Sequence, residues 1–334
     1  MTITPRASGE LTPASGQPGI ELSASARERI RQSVPENTRR AYARQLDRFT
    51  AWCTEHDVAA LPADPGTLTE YVNHLADLDQ APASIEQAIA AIRTAHRVSG
   101  YKGQPDTEGA LRVLKAHRRE RAEKGQSKRQ APPVTLDPLR SMVTAADPAT
   151  LAGRRDRALL VLGFAMMARR SELAALRIED LAFSDDGLTV TIRKSKTDQD
   201  AHGATVQIPH GVHPDTDPVR VTRAWLAALA EHDVTSGPLL RRINRWDQLQ
   251  PGGMSGAAVN ERVQRLAQLA GLEGAADFTA HGLRAGGPTE AAKAGHPVSF
   301  IAEHGRWSKN SPQVLEYIRA VDRWRDNPMR GIGL

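Results

Sequence analysis

The sequence predicts a mainly α-helical protein in two domains, with a small antiparallel β-sheet in the second. Three observations carry this reading. Apolar residues recur at helical spacing through most of the chain. One stretch with Lys, Arg, two prolines and no apolar period, Gln126 to Val134, interrupts that pattern. Strand-like alternation is confined to two short runs, Leu188 to Arg193 and Thr205 to Pro209, with a polar loop between them. With 334 residues the chain can fill two ordinary domains.

Residues 1–21 are read as a disordered arm, because Met1 to about Gln17 is rich in Thr, Pro, Ser and Gly and has no apolar core. The same absence argues against a signal peptide. Residues 22–125 form the first domain, of four or five helices. Asn37 to Cys53 places Tyr42, Leu46, Phe49 and Cys53 at helical spacing, with Arg40, Arg44 and Arg48 on the opposite side and Asn37 or Thr38 as a cap. Gly66 to Leu78 carries Leu68, Tyr71, Val72, Leu75 and Leu78 on one face. Ser84 to Val98 carries Ile85, Ile89 and Ile92, and ends with Arg93, His96 and Arg97. Leu111 to Lys124 is strongly basic, from Arg112 and Lys115 through Arg118, Arg119 and Arg121. One such basic face usually means a solvated surface. Three in one bundle point to a saddle for DNA.

Residues 126–134 are read as an interdomain linker, and residues 135–334 as the second domain. Arg157 to Met167 is almost wholly apolar, so a buried helix is expected. The two alternating runs make a β-hairpin. Helices follow at Pro218 to Leu229, Ser255 to Leu269, Leu283 to Ala294 and Gln313 to Arg325.

Composition narrows the function classes. No stretch approaches the ~20 apolar residues that cross a bilayer, so no membrane partner is expected. The single cysteine, Cys53, supports neither a disulfide framework nor a Cys-based zinc site, and fits a cytoplasmic protein. The net charge is +5, carried by 36 Arg and only 8 Lys. Arg grips phosphate in a fork that Lys cannot match, which suggests a polyanionic partner. A coding bias toward Arg explains the count equally well.

Four places carry candidate chemistry. Ala168-Arg169-Arg170-Ser171-Glu172-Leu173 ends the buried helix and sets a guanidinium at the edge of a core. Arg193-Lys194-Ser195-Lys196-Thr197 lies at the hairpin tip, where a Lys can reach a ligand. His281-Gly282-Leu283-Arg284 puts a His and an Arg on one face of a helix start. About one such pair is expected by chance in a chain so rich in Arg, so alone it carries no weight. Gly305-Arg306-Trp307 precedes Tyr317 by ten residues, counted from Trp307. A lone Tyr in a helix is ordinarily structural.

The ordered set changes that. An Arg, a hairpin Lys, His-x-x-Arg, Gly-x-Trp and then Tyr, at these separations, resembles the tyrosine recombinase (phage integrase) family across residues 22 to 327. In the first half, Ala51-Trp52-Cys53 and His96-Arg97-Val98-Ser99-Gly100 look most like the Cre branch. The resemblance implies that family's fold, a helical core-binding domain followed by a catalytic domain. It also implies a site-specific recombinase that cuts and rejoins duplex DNA through a 3′-phosphotyrosyl bond, without ATP, metal or cofactor. Tyr317 is then the nucleophile, Arg169 and Arg284 the phosphate clamp, His281 a base or phosphate donor, Lys196 the acid for the leaving oxygen, and Trp307 a phosphate donor. Glu172 orients Arg169 or His281. Arg40, Arg44, Arg93 and Arg97 are candidate DNA contacts, and the helix starting near Ser255 a candidate base reader. A homotetramer on two DNA sites with inverted repeats is implied, with Val321 to Leu334 docking on a neighbouring protomer, at the nucleoid in the cytoplasm.

Two departures bear on geometry. Pro288 stands four residues after Arg284, where it predicts a late or kinked helix. The interval from Trp307 to Tyr317 is one residue longer than the family's, and Pro312 lies in it. His304 is an alternative to Trp307 at the phosphate. A type IB topoisomerase-like activity, or a DNA-binding protein with a degenerate site, are the competing functions.

Overall fold

The structure, a computed structural model, describes residues 23–126, 131–193, 203–308, 311–322, 329 and 331–333. The expected arm (1–21), most of the expected docking segment (321–334) and Lys196 lie outside these residues. The chain divides into two compact units, residues 1–129 and 130–334.

The first unit contains α1 (Ala24–Gln32), α2 (Glu36–Glu55), α3 (Pro65–Asp77), α4 (Pro82–Val98) and α5 (Glu108–Glu123). Its core holds much of the apolar stripe read from the sequence, Phe49 and Cys53 of α2, Leu68, Tyr71 and Val72 of α3, and Ile85, Ile89 and Ile92 of α4, joined by Trp52 of α2 and Leu114 of α5, whereas Leu78, expected on the same face and just past the end of α3, is exposed. Each large side chain buried here contributes roughly 1.5–3 kcal/mol. Asp64 caps α3, its carboxylate accepting from Thr67 N at 2.9 Å and Thr67 Oγ1 at 2.6 Å. Those bonds hold its pKa below the usual carboxylate value.

The basic faces divide into two kinds. On α5, Arg112 pairs with Glu108, Arg118 with Glu86 and Arg121 with Asp79. His117 and His96 are buried. His117 Nε2 donates to Gln80 O at 2.9 Å, while His96 Nε2 accepts from Ala63 N at 2.8 Å. Much of the charge on α5 therefore ties the bundle together. On α2 and α4 the pattern differs. Arg40 pairs with Glu36, but Arg44, Arg93 and Arg97 are exposed with no ion pair among the described residues. Arg93 and Arg97 line a cleft of about 260 Å³ with Thr94 and Gln104.

The second unit holds α6 (Leu136–Ala145), α7 (Leu151–Ala165), α8 (Arg170–Ala175), β1 (Leu181–Phe183), β2 (Gly187–Ile192), β3 (Ala204–Pro209) and α9 (Pro218–Ala230). It continues with β4 (Arg241–Ile243), β5 (Leu249–Gly253), α10 (Gly256–Leu269), α11 (Ala280–Lys293), α12 (Val298–His304) and α13 (Pro312–Asp322). Helix α7 is the hub. Its second half is apolar all round, its first half buries the Arg155–Asp156 ion pair, and α6, α9, α10 and α11 pack on it. Asp247, from the β4–β5 turn, caps its start by accepting from Leu151 N and Ala152 N, both at 2.8 Å. The expected hairpin is β2–β3, paired antiparallel with Thr189 opposite Gln207, and β1 adds a third strand beside β2.

The end of the expected linker is packed rather than free. Val134 is fully buried and its N–H donates to Gly282 O at 2.9 Å. A Cβ on Gly286 would overlap the Val134 carbonyl oxygen, so only glycine admits this segment against α11. Helix α11 starts at Ala280, not late, and runs through Pro288.

Candidate active site

The site is built where α7 ends. After Ala165 the chain turns through Met166, Met167 and Ala168, with Ala168 N donating to Gly163 O at 3.0 Å. Met167 adopts a left-handed φ of 47°, unusual for a side chain that large. The turn delivers Arg169 to the first position before α8. One helical turn on, Glu172 folds back: Oε2 accepts from Arg169 N at 2.9 Å, and Oε1 from Arg169 Nη1 at 2.7 Å. The Glu172 side chain is 1% exposed, so its charge must be matched locally. Arg169 provides one cation. Arg306 provides the second, with Nη2 2.8 Å from Glu172 Oε2.

Helix α11 supplies the next pair. Asn260 Oδ1 accepts from Ala280 N at 3.1 Å and so ties the start of α11 to α10. His281 and Arg284 follow on one face, three residues apart. Arg284 is buried. Its guanidinium donates to Met167 O and, at 2.9 Å, to Gly305 O, and lies 3.9 Å from the centroid of the Trp307 ring. Burial and the neighbouring Arg169 lower its pKa to about 9, against the pull of Glu172.

Tyr317 comes from α13. Its Oη lies 3.0 Å from His281 Nε2, so the phenol donates whenever that nitrogen is unprotonated. Burial raises the Tyr317 pKa and the Arg284 charge opposes the rise. Trp307 stands between them, 6.0 Å from the Tyr317 ring at 58°. Met167, Ile301, Ala302, Trp307 and Val314 form a small apolar cluster on which Tyr317 packs. The extra residue between Trp307 and Tyr317 thus leaves the phenol beside His281 of the same chain.

Five of the sequence candidates therefore converge: Arg169, Glu172, His281, Arg284 and Tyr317, with Trp307 packed under two of them. Lys196 falls outside the described residues. His304, weighed as an alternative to Trp307, is engaged elsewhere, donating from Nε2 to Ala165 O at 2.7 Å at the end of α7. Two residues were not singled out from the sequence. Arg306 is the second partner of Glu172. Arg170 is exposed, with no ion pair or hydrogen bond among the described residues, and its stem lies over Gly256 at the start of α10. A Cβ on Gly256 would come within 3.3 Å of Arg170 Cγ and Nε.

Residues 134–322 match the phage integrase family, and residues 29–99 match the phage integrase N-terminal SAM-like domain. The chain belongs to the phage integrase family. It is a tyrosine-type site-specific recombinase by that membership. An integrase/recombinase XerD homolog from Selenomonas ruminantium is 34% identical over 311 residues, covering 92% of this chain and 89% of the relative. The Cre recombinase of Escherichia phage P1 is 24% identical over 312 residues, covering 88% and 87%. Among solved structures, the integrase fold is shared with a Tn1549 transposon integrase in complex with transposon right end DNA (TM-score 0.59, 14% identity, 89% of this chain and 96% of that one). It is shared too with the XerH site-specific recombinase bound to a palindromic difH substrate (TM-score 0.58, 16% identity, 86% and 77%). Among the described residues of this recombinase, no helix is long and apolar enough to cross a membrane.

Proposed function

We propose that this chain cuts and rejoins duplex DNA at a specific site by two transesterifications, with Tyr317 as the nucleophile. The observation that carries the reading is the 3.0 Å contact between Tyr317 Oη and His281 Nε2, beside the buried guanidinium of Arg284. His281 takes the phenolic proton as Oη attacks phosphorus. A P–O bond to tyrosine forms, and the bond to the 5′ oxygen breaks. Lys196 gives that oxygen its proton, and the products are a 3′-phosphotyrosyl end and a free 5′-hydroxyl. The second step is the reverse, with a 5′-hydroxyl from another strand, so bond energy is conserved and no ATP is consumed.

Arg169 and Arg284 carry the charge that develops on the non-bridging oxygens. A fixed cation or donor in such a place is worth about 2.7–4 kcal/mol each. Trp307 holds the Arg284 guanidinium by its ring face and closes the apolar side of the site. The chain's own guanidiniums meet the need for positive charge, so the step is written without a metal ion or cofactor.

Affinity for DNA rests on phosphate contacts. Arg44, Arg93 and Arg97 are among the exposed cations of the first unit with no ion pair among the described residues, joined by Arg40, whose pairing with Glu36 is an exposed one of little strength. In the second unit, Arg170 at the start of α10 joins them, with α10 as the base reader. A two-armed, inverted-repeat target held by a homotetramer on two sites fits a single-strand cut per protomer, and the palindromic substrate of XerH is in keeping with the inverted repeat. Such work belongs at the nucleoid in the cytoplasm. The test uses a nicked suicide duplex made from inverted-repeat DNA recovered beside the gene. A covalent protein–DNA adduct in wild type that disappears in Tyr317→Phe is expected. An adduct that persists in Tyr317→Phe, or none on any recovered site, overturns the reading.

A further inference from the structure

Arg306 is an expensive residue where it stands. Its side chain is 9% exposed, which costs a guanidinium several kcal/mol of hydration. Burial lowers its pKa, opposed by Glu172. Its backbone is left-handed, φ 56°, at a non-glycine position. Its Nε is buried with no hydrogen-bond partner among the described residues. It is also the third buried or half-buried guanidinium around one carboxylate, beside Arg169 and Arg284. An apolar residue after Gly305 would avoid the costs of charge and of the unpartnered Nε, and a glycine would avoid the backbone cost as well.

What the costs secure is a three-way tie. Arg306 Nη2 meets Glu172 Oε2 at 2.8 Å, and Nη1 donates to Met166 O at 3.1 Å and His304 O at 3.0 Å. The first bond fixes the carboxylate that also accepts from Arg169 N and Arg169 Nη1. The second fixes the turn that delivers Arg169 from α7. The third fixes the end of α12, next to the segment that carries Trp307. The charge count matters as well. Without Arg306, Arg169 and Arg284 already outnumber the one carboxylate. With Arg306 present, three guanidiniums face Glu172, and the net positive charge left for the phosphate is larger.

We propose that Arg306 is a positioning residue for cleavage: through Glu172 and the Met166 carbonyl it sets the placement and effective charge of Arg169, without itself touching the scissile phosphate. This rests on the recombinase reading above. It predicts a rate effect rather than an affinity effect, and one that depends on Arg169. Misplacing a catalytic group by about 1 Å costs up to ~10²-fold in rate. Lys at this position keeps the charge but has a single ammonium, which cannot span Glu172 and two carbonyls at once.

The experiment is single-turnover adduct formation on the nicked suicide duplex by the full chain. The proteins are wild type, Arg306→Gln and Arg306→Lys, each alone and in an Arg169→Lys background, over a series of DNA concentrations and with thermal unfolding recorded in parallel. Arg306→Gln is expected to slow the rate at saturating DNA by about 10- to 100-fold while the half-saturating concentration stays within about twofold. Arg306→Lys should recover part of the rate. In the Arg169→Lys background the Arg306→Gln effect should shrink to under about threefold, because its route of action is gone. A wild-type rate in Arg306→Gln, an undiminished effect in the Arg169→Lys background, or a change confined to DNA concentration dependence overturns the role. If Arg306→Gln does not fold, Arg306→Lys decides: native unfolding with a slower saturated rate supports the role, and a wild-type rate overturns it. A wild type that forms no adduct overturns the proposed function itself, which separates the two failures.

Discussion

Replacing Glu172 by Gln keeps the side chain's shape and removes its charge. In the wild type the carboxylate accepts hydrogen bonds from Arg169 N at 2.9 Å, Arg169 Nη1 at 2.7 Å and Arg306 Nη2 at 2.8 Å. A Gln amide offers one acceptor oxygen, and its NH₂ group must then point at a donor. If the oxygen takes the Oε2 position, Arg306 and the Arg169 amide keep an acceptor, and Arg169 Nη1 loses the carboxylate oxygen it now meets. If it takes the Oε1 position, Arg306 is left buried and uncompensated. Breaking a buried pair by removing one charge costs about 3–5 kcal/mol. In a unit of about 200 residues each kcal/mol moves the midpoint by about 2–4 °C, so the shift should be roughly 6–20 °C. Differential scanning calorimetry of the full chain gives the number, and the transition of the second unit is the one that should move. A shift under about 2 °C would mean that Glu172 is solvated or exchangeable in solution, and the account of Arg169 and Arg306 given above would fail with it.

Four further outcomes follow from the same geometry. His281→Ala should slow adduct formation by about 10²- to 10⁴-fold with DNA affinity unchanged, read by single-turnover kinetics beside a gel-shift titration; equal losses in rate and affinity would make His281 a binding residue only. Because burial brings the Arg284 pKa down to about 9, kcat/KM should fall as pH rises through about 9, where the free protein loses that charge. The sign for stability is opposite: between about 9 and the ordinary Arg value the unfolded chain holds a proton the folded one has shed, so this group's desolvation cost is relieved as pH rises. Arg170→Ala, and Arg93→Ala in the first unit, should each lower the slope of log K against log salt by about 1, measured by fluorescence anisotropy, with no change in the saturated cleavage rate. Gly286→Ala should destabilise the second unit by about 1–3 kcal/mol in urea titration, since its methyl would meet the Val134 carbonyl.

How far the sequence reaches depends on the range of the interaction that decides each element. Helix α7 was legible because its apolar pattern is local and continuous, and the β2–β3 hairpin because strict alternation is local too. The β4–β5 hairpin was not, because its strands have three and five residues, and Pro251-Gly252-Gly253 breaks the alternation. Helix α12 is seven residues long, too short for a period to register. The basic face of α5 misled for a related reason. Arg118 and Arg121 are spent on Glu86 and Asp79, partners 32 and 42 residues back in the chain. Arg306 is the extreme case. Its partner Glu172 is 134 residues earlier, and nothing near Gly305 announces a buried ion pair.

The two departures, Pro288 and the long interval before Tyr317, show how tertiary packing overrides a local rule. Pro288 removes one N–H from α11, yet the helix runs from Ala280 to Lys293. It is clamped within the turn that the proline's missing bond would have closed: Gly286 lies against Val134, and Gly287 against Met167. Thr289 Oγ1 also donates to Ala285 O at 2.8 Å. His281 and Arg284 precede the proline, so their spacing on one face is set before any local relaxation. The added residue before Tyr317 acts differently. The position of the phenol is not measured along the chain from Trp307. It is set by α13 packing on α11, with Val314 and Tyr317 seated on the cluster of Met167, Ile301 and Trp307. A segment anchored at both ends takes up one extra residue in its connection. The choice of Tyr317 as the proposed nucleophile therefore came from the ordered set of residues, whereas its placement required the packing of α13 on α11.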